Sequence, residues 1–448
     1  MSIDPYEKYA DSGVPWLGAI PSHWQVVKSR RLFSERKERS RLSDEQLTAS
    51  QKYGVIYQKD FMALENQRVM QVIHGTEILK HVEPDDFVIS MRSFQGGIEW
   101  CGLRGSTSSA YVVLVPSEGI VPAFFRYLFK SSVYIQALQS TTNLVRDGQA
   151  LRFENFAHVD LPVLPRVEQQ TIAEFLDRET AKIDALVEEQ GRLIELLREK
   201  KQAALSHAVT KGLDPQATMK NANIEWLGEV PAHWRLVRIK DVCREIVDCK
   251  NRTPEKIPEG SYFVIRTSCV RDGKFDEAGG YCTDAENFEE WTRKGRPQVG
   301  DVLFTREAPA GEACLVPSGY DLCLGQRMMY LRPDPEVISP DYLLANIYGP
   351  LVRYQIEAKS KGSTVGHLRV GEVGDLPCLL PPLNEQYAIC ETLRALGLEF
   401  DSLLSAAQVG TELLQERRSA LIASAVTGKI NVQRLLDRDQ SHRKAVAA

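Results

Sequence analysis

The chain has 448 residues, 43% hydrophobic and 26% charged, with 55 basic against 60 acidic side chains and a net charge of −5. This is the balance of an ordinary globular chain of roughly two to four domains. It lacks any apolar run near the ~18 residues of a membrane span, and a slightly acidic total weighs mildly against nucleic-acid binding unless cations gather on one face. The first residues, MSIDPYEKYADSG, have no cationic stretch leading into an apolar one, so a cytoplasmic location without signal peptide is expected.

In chain order, the first legible segment is VPWLGAIPSHWQVV at 14–27. Next comes DDFVISMRSFQGGIEWCGLRG at 85–105, a turn–strand–loop–strand pattern bounded by Asp and Gly. A short helical stretch follows, AFFRYLFKSSVYIQAL at 123–138, then NLVRDGQALRFENF at 143–156. Behind Pro165 opens a long run without proline that ends near Gly212, with the start and stop signals of a helix.

The chain then repeats itself. IEWLGEVPAHWRLV at 224–237 answers the opening motif, with Trp226 lying 210 residues after Trp16. GDVLFTREAPAGEACLVPSG at 300–319 answers the loop segment, pairing Asp86 with Asp301 and Gly96 with Gly311 at a spacing of 215. PDYLLANIYGPLVRYQI at 340–356 answers the short helices. PRVEQQTIAEFL and LLREKKQAALSHAVTKG return as PPLNEQYAICETL and LLQERRSALIASAVTGK at a spacing of 217. A period above two hundred residues is too long for a solenoid and implies two copies of one domain, each followed by the same helix.

Steps of four and three place heptad core positions at Ile172, Leu176, Glu179, Ile183, Leu186, Gln190, Leu193, Leu197, Lys200, Ala204 and His207. The second copy gives Ile389, Leu393, Leu396, Phe400, Leu403, Ala407, Gly410, Leu414, Arg417, Leu421 and Ser424. Neither stripe can be buried by its own helix, and forty helical residues span about 60 Å. A two-fold relation between repeats would lay the two helices antiparallel. Of the 9 cysteines, eight lie from Cys243 to Cys390. A disulfide framework or metal site would not skip one of two homologous copies, so buried free thiols are expected.

The duplicated WLGxxPxHW motif, the GDVLFTRE loop, the segment GSTVGHLRVGEVGDLPCLLPPLNEQ and the two long helices resemble the specificity (S) subunits of type I restriction–modification enzymes, over essentially the whole chain. The resemblance implies an α+β fold in which two homologous target recognition domains are separated by two long antiparallel coiled-coil helices, with an internal pseudo-two-fold. The expected division is a first recognition domain at 1–165, a helical spacer at 166–215, a second recognition domain at 216–382 and a second spacer at 383–448. It further implies a partner set of double-stranded DNA, two methyltransferase (M) subunits and two restriction (R) subunits. S-adenosylmethionine, ATP and Mg²⁺ belong to those partners, and no cofactor or metal is expected in this chain. The first copy departs from the pattern where NLVRDGQALRFENF replaces GSTVGHLRVGEV, although Leu151-Arg152 still aligns with Leu368-Arg369.

No catalytic motif emerges: there is no phosphate loop, no GxGxxG, no HExxH, no NPP[YF]-type methyltransferase motif and no GxSxG elbow. A non-catalytic recognition subunit fits this. Residues shared by both copies cannot explain two different half-sites. Trp16, Pro21, His23 and Trp24, with Trp226, Pro231, His233 and Trp234, therefore belong to the scaffold. Residues that differ within shared loops can carry base readout, and the DNA-binding candidates in the first domain are Arg92, Gln95, Arg104, Asn143, Arg146 and Gln149. In the second they are Arg306, Lys361, Ser363, Thr364 and His367. The shared Arg152 and Arg369 suit phosphate contact. Candidates for subunit docking are Glu168, Gln169, Lys200, Lys201, Glu385, Gln386, Arg417 and Arg418. Three other functions remain open: the specificity subunit of a fused nuclease–methylase system, a stand-alone nuclease, and a scaffold whose domains bind protein.

Overall fold

The computed structural model describes residues 5–66, 76–141, 151–250, 252–360 and 367–438. They form two compact units, Met1–Gly191 with Gln408–Ala448, and Arg192–Ala407. Each unit holds the irregular part of one repeat, the first half of that repeat's long helix and the second half of the other's. The long helices are α1 (Arg166–Lys211) and α2 (Leu383–Val426).

The first unit is built on a four-stranded antiparallel sheet of β1 (Phe33–Glu35), β2 (Phe87–Ile89), β3 (Glu99–Trp100) and β4 (Val112–Pro116), in the spatial order β1-β4-β2-β3. The second unit repeats the order with β5 (Cys243–Asp248), β6 (Val302–Thr305), β7 (Ala313–Leu315) and β8 (Met328–Pro333), giving β5-β8-β6-β7. The aligned aspartates close both sheets. Arg36 grips Asp86 with Nε at 2.7 Å and Nη2 at 2.9 Å, and Arg332 grips Asp301 with the same two nitrogens at 2.9 Å. Copies of one fold thus satisfy one buried carboxylate from different places, the residue after β1 in one and β8 in the other.

In each unit a second ladder leads into the long helix: 160–163 pairs with 25–28, and 377–380 with 235–238. Pro165 and Pro382 then accept the first helical N–H bonds, from Gln169 and from Glu385 and Gln386. Gly212 (φ +75°) and Gly428 (φ +70°) end the helices in the left-handed region that a side chain would strain. The first core is aromatic, with Phe33, Phe87, Phe125, Phe129 and Phe156 in mutual edge and tilted contact. The second unit adds a three-stranded sheet, 281–283, 262–265 and 322–324. All nine cysteines are free. Burial pushes the thiols of Cys101, Cys243, Cys314 and Cys323 up to about 12, which makes them packing groups and not nucleophiles.

The helices run antiparallel within each unit. In the first, Asp184 accepts from Arg418 at 2.8 Å while Gln190 lies beside Gly410. In the second, Lys201 pairs with Asp401 while Glu385 lies beside Gly212. Asp184 and Asp401 are 217 residues apart, as are Lys201 and Arg418, so one salt link appears twice.

The inward stripe differs from the heptad expectation. Ile172, Leu176, Ile183, Gln190, Leu197 and Ala204 face inward as expected, but between the later ones the covered positions are Val187, Ile194, Lys201 and Ala208. Leu186, Leu193, Lys200 and His207 face solvent. On α2 the covered set is Phe400, Leu404, Ala407, Thr411, Leu414, Arg418 and Ala425, with Leu403 and Arg417 outside. The reason is an early stretch, 172–176–180–183, that steps four, four and three. An eleven-residue step follows the helix closely, where a strict heptad drifts ~20° per repeat, and it reverses the later three–four alternation, which moves every second position by one.

Candidate nucleic-acid interface

The duplicated opening motif is tied to the start of the long helix by one carboxylate. Glu168 accepts from Trp24 Nε1 at 3.1 Å, from Tyr6 Oη at 2.6 Å, and faces His23 Nε2 at 2.9 Å. Glu385 repeats this with Trp234 at 3.0 Å and His233 at 2.8 Å. Burial, reinforced by Glu168, drives the Tyr6 phenol well above its ordinary value. The neighbouring amides are spent as well. Gln169 accepts from Val121 N–H at 2.9 Å and donates to the Leu164 carbonyl at 2.9 Å. Gln386 accepts from Ser339 N–H at 2.9 Å and donates to Val337 and Pro381 carbonyls at 3.0 and 2.9 Å. These four docking candidates hold each domain onto its own helix, and the two glutamines are buried. Lys201 and Arg418 clamp the helix pairs, and Lys200 and Arg417 lie on the exposed face.

Of the readout candidates in the first unit, Arg92 and Gln95 stand exposed between β2 and β3, Arg92 just before and Gln95 on the short helical turn Ser93–Gly96. Gln51 Nε2 donates to the Arg92 carbonyl at 3.1 Å and pins that turn. Arg104 is engaged elsewhere: its Nε lies 3.1 and 3.0 Å from the two Glu83 oxygens and its Nη2 at 2.7 Å. Glu83 also accepts from the buried His81, whose other ring nitrogen meets Asp44 at 2.7 Å. The Arg104 guanidinium and His81 hold the Glu83 carboxyl down at about 2. Asn143, Arg146 and Gln149 lie outside the described residues.

In the second unit Arg306 turns inward. It is 8% exposed, 3.0 Å from Asp248, with Nη1 directed at the Leu368 carbonyl. The side chain that follows β6 packs toward the core and the next one points out. That next residue is Glu307, which binds His367 Nδ1 and lies 2.9 Å from Arg327 Nε. His367 remains exposed at this rim. Lys361, Ser363 and Thr364 lie outside the described residues. The shared arginines occupy one structural position. Arg152 and Arg369 both precede a short helix, exposed, behind a buried leucine, with their backbone N–H groups bound by Asn155 and Glu372.

Sequence reasoning passed over the run KSRRLFSERKERSR at 28–41, a charge cluster that composition by window exposes. Arg36 and Arg41 are committed to carboxylates, whereas Arg30, Arg31 and Lys37 are exposed. Arg252 and Lys250 over the Trp291 ring were also passed over. Among the described residues, no group of three His, Cys, Asp or Glu could hold a metal ion, and no helix is long and apolar enough to cross a membrane.

Residues 231–406 match the family of the type I restriction modification DNA specificity domain. The wider chain is similar to named specificity subunits. It is 23% identical to the type I restriction enzyme MjaVIII specificity subunit of Methanocaldococcus jannaschii, over 93% of this chain and 95% of that protein. It is 24% identical to the EcoKI specificity subunit of Escherichia coli, over 79% of this chain and 76% of that protein. Among solved structures, the HsdS subunit from Thermoanaerobacter tengcongensis matches with a TM-score of 0.52 at 18% identity, covering 92% of this chain and 98% of that one. A chain from a study of assembly and conformational transition in the type I R-M system matches at 0.67 and 16% identity, over 91% and 98%. The specificity-domain fold is therefore common to these chains and this one.

Proposed function

We propose that this chain is the DNA-recognition subunit of a type I restriction–modification complex, and that it carries no catalytic centre of its own. Each domain takes one half of a bipartite target in duplex DNA. The paired long helices hold the two grips at a set separation. Methyl transfer from S-adenosylmethionine and ATP- and Mg²⁺-dependent restriction belong to two M and two R subunits that dock on this chain.

The observation that carries the reading is a duplicated scaffold whose loop rims differ. The two units share sheet order, the helix-anchoring glutamate and the interhelical salt link. They differ where β2 and β6 give way to their loops, with Arg92 on one rim and Glu307 on the other. Common scaffold with different rims suits two unlike half-sites. Two equivalent partners fit a second repetition. Leu186 and Leu403, and Leu196 and Leu413, are pairs 217 residues apart, and all four are exposed on the helices. Exposed apolar side chains on a charged rod mark a contact surface.

The test is to express the chain with its methyltransferase partner in a methylation-free host and map the modified bases. The expected result is a split, asymmetric motif with an unread spacer. A contiguous palindrome, or Mg²⁺-dependent cleavage by the purified chain alone, would overturn the reading.

A further inference from the structure

One arginine in the second unit has the presentation that Arg306 lacks. Arg327 lies in the turn between the strand Leu322–Leu324 and β8, and its φ is +72°. A non-glycine residue stays in the left-handed region only where its surroundings hold it there. Three contacts do so. Its N–H donates to Cys249 Sγ at 3.1 Å, its carbonyl accepts from Arg306 N–H at 2.9 Å, and its Nε sits 2.9 Å from Glu307. Glu307 is fixed from its other side by His367, through the ring nitrogen and a backbone bridge. The side chain of Arg327 is nonetheless 47% exposed.

The strand registers identify what the other repeat has at these places. Ile89 faces Val112 in the first unit, and Phe304 faces Met329 in the second. Counting outward, Glu307 takes the place of Arg92 and Arg327 the place of Ala110. Both positions lie at the same rim of the same sheet, and both differ between repeats. A residue that serves only the shared fold has no reason to change charge in this way.

The chemistry of the presentation is specific. The carboxylate meets Arg327 at Nε, the inner nitrogen, and so does not take up the two terminal nitrogens of the planar fork. Such a fork matches O6 and N7 of guanine in the major groove. Clamping it beforehand lowers the rotamer entropy lost on contact. We infer that Arg327 reads a guanine in the half-site taken by the second domain, with Glu307 and His367 as positioning residues. The inference rests on the recognition function proposed above.

The experiment uses the full chain with its methyltransferase partner, comparing wild type, Arg327→Ala, Arg327→Lys and Glu307→Gln. Methylated motifs are mapped, and binding is measured on the wild-type target and on targets substituted at each guanine of the second half-site. Arg327→Ala should relax the motif at one base pair and cut discrimination there about 5- to 150-fold. Arg327→Lys, which keeps the charge but loses the fork, should relax the same base pair. Glu307→Gln should weaken discrimination at that pair and leave the first half-site untouched, which a merely structural role would not do. The inference is overturned if Arg327→Ala weakens all targets equally with a salt dependence lower by about one phosphate, or if the motif is unchanged. A wild-type complex that reads no split target would instead overturn the functional reading on which this depends.

Discussion

Glu168 and Glu385 each gather an indole N–H and an imidazole onto the first turn of a long helix. A carboxylate there also meets the positive end of the helix dipole. Glu168→Gln replaces one acceptor oxygen by a donor amide facing those groups. Losing charge-assisted bonds at a mostly buried site costs about 2–3 kcal/mol. Urea unfolding followed by tryptophan fluorescence should show a lower midpoint for the transition of the first unit, and Glu385→Gln should do the same for the second. A second residue-scale prediction concerns acid. The Glu83 carboxyl is held at about 2 in the folded chain against 4.5 ordinarily, chiefly by Arg104 and then by His81. A depressed carboxyl contributes stability that is complete above its unfolded value and lost as pH falls through the folded one. Glu83 should therefore contribute to acid destabilisation of the first unit between pH 4.5 and about 2. Glu83→Gln should flatten that part of a stability-against-pH curve; an unchanged slope would remove Glu83 from the account. The tryptophans and histidines of the opening motif were legible as scaffold because they recur. Their glutamate was legible only as a shared residue and docking candidate, since no spacing rule links positions 24 and 168. The burial of Arg306 was hidden for a similar reason: a sequence gives the charge but not which of two neighbours at a strand end turns inward.

At the scale of elements, the helices were readable in extent and not in register. Pro165 and Pro382 mark their starts, and Gly212 and Gly428 their ends. The seam was misread at alternate positions because two adjacent four-residue steps move every second later position by one, and leucines occur on both faces. Leu403 and Leu404 separate the two registers. Leu403 is 45% exposed, while Leu404 belongs to the covered stripe. Leu404→Ser should cost about 2 kcal/mol more than Leu403→Ser, from lost apolar burial and a hydroxyl placed in the seam. Thermal unfolding of the two variants decides it, and equal losses would restore the heptad reading. The links Asp184–Arg418 and Lys201–Asp401 are partly solvated, so each contributes at most about 1 kcal/mol. Their value lies in fixing which residues face each other.

For the whole molecule, the duplication made the two-domain, two-helix architecture legible, because a repeat of two hundred residues constrains topology more than local propensity does. What it left hidden is how each half is assembled: a unit takes its helical pair from both repeats. In the proposed role this makes the helices a gauge for the distance between half-sites. Lengthening only one helix would force its partner out of register, so the informative change is symmetric. Four residues inserted after Leu193 and four after Gly410, positions 217 apart, keep the flanking links Asp184–Arg418 and Lys201–Asp401 intact in their own units. Each insertion adds about 6 Å of helix and slightly more than one full turn, so the seam stays near phase. At about 3.4 Å per base pair, the unread spacer of the methylated motif should grow by one or two base pairs, while the bases read on either side stay the same. Full methylation at the original spacing would show that the helices do not set the distance, and a change in the bases themselves would show that the insertion had disturbed the domains.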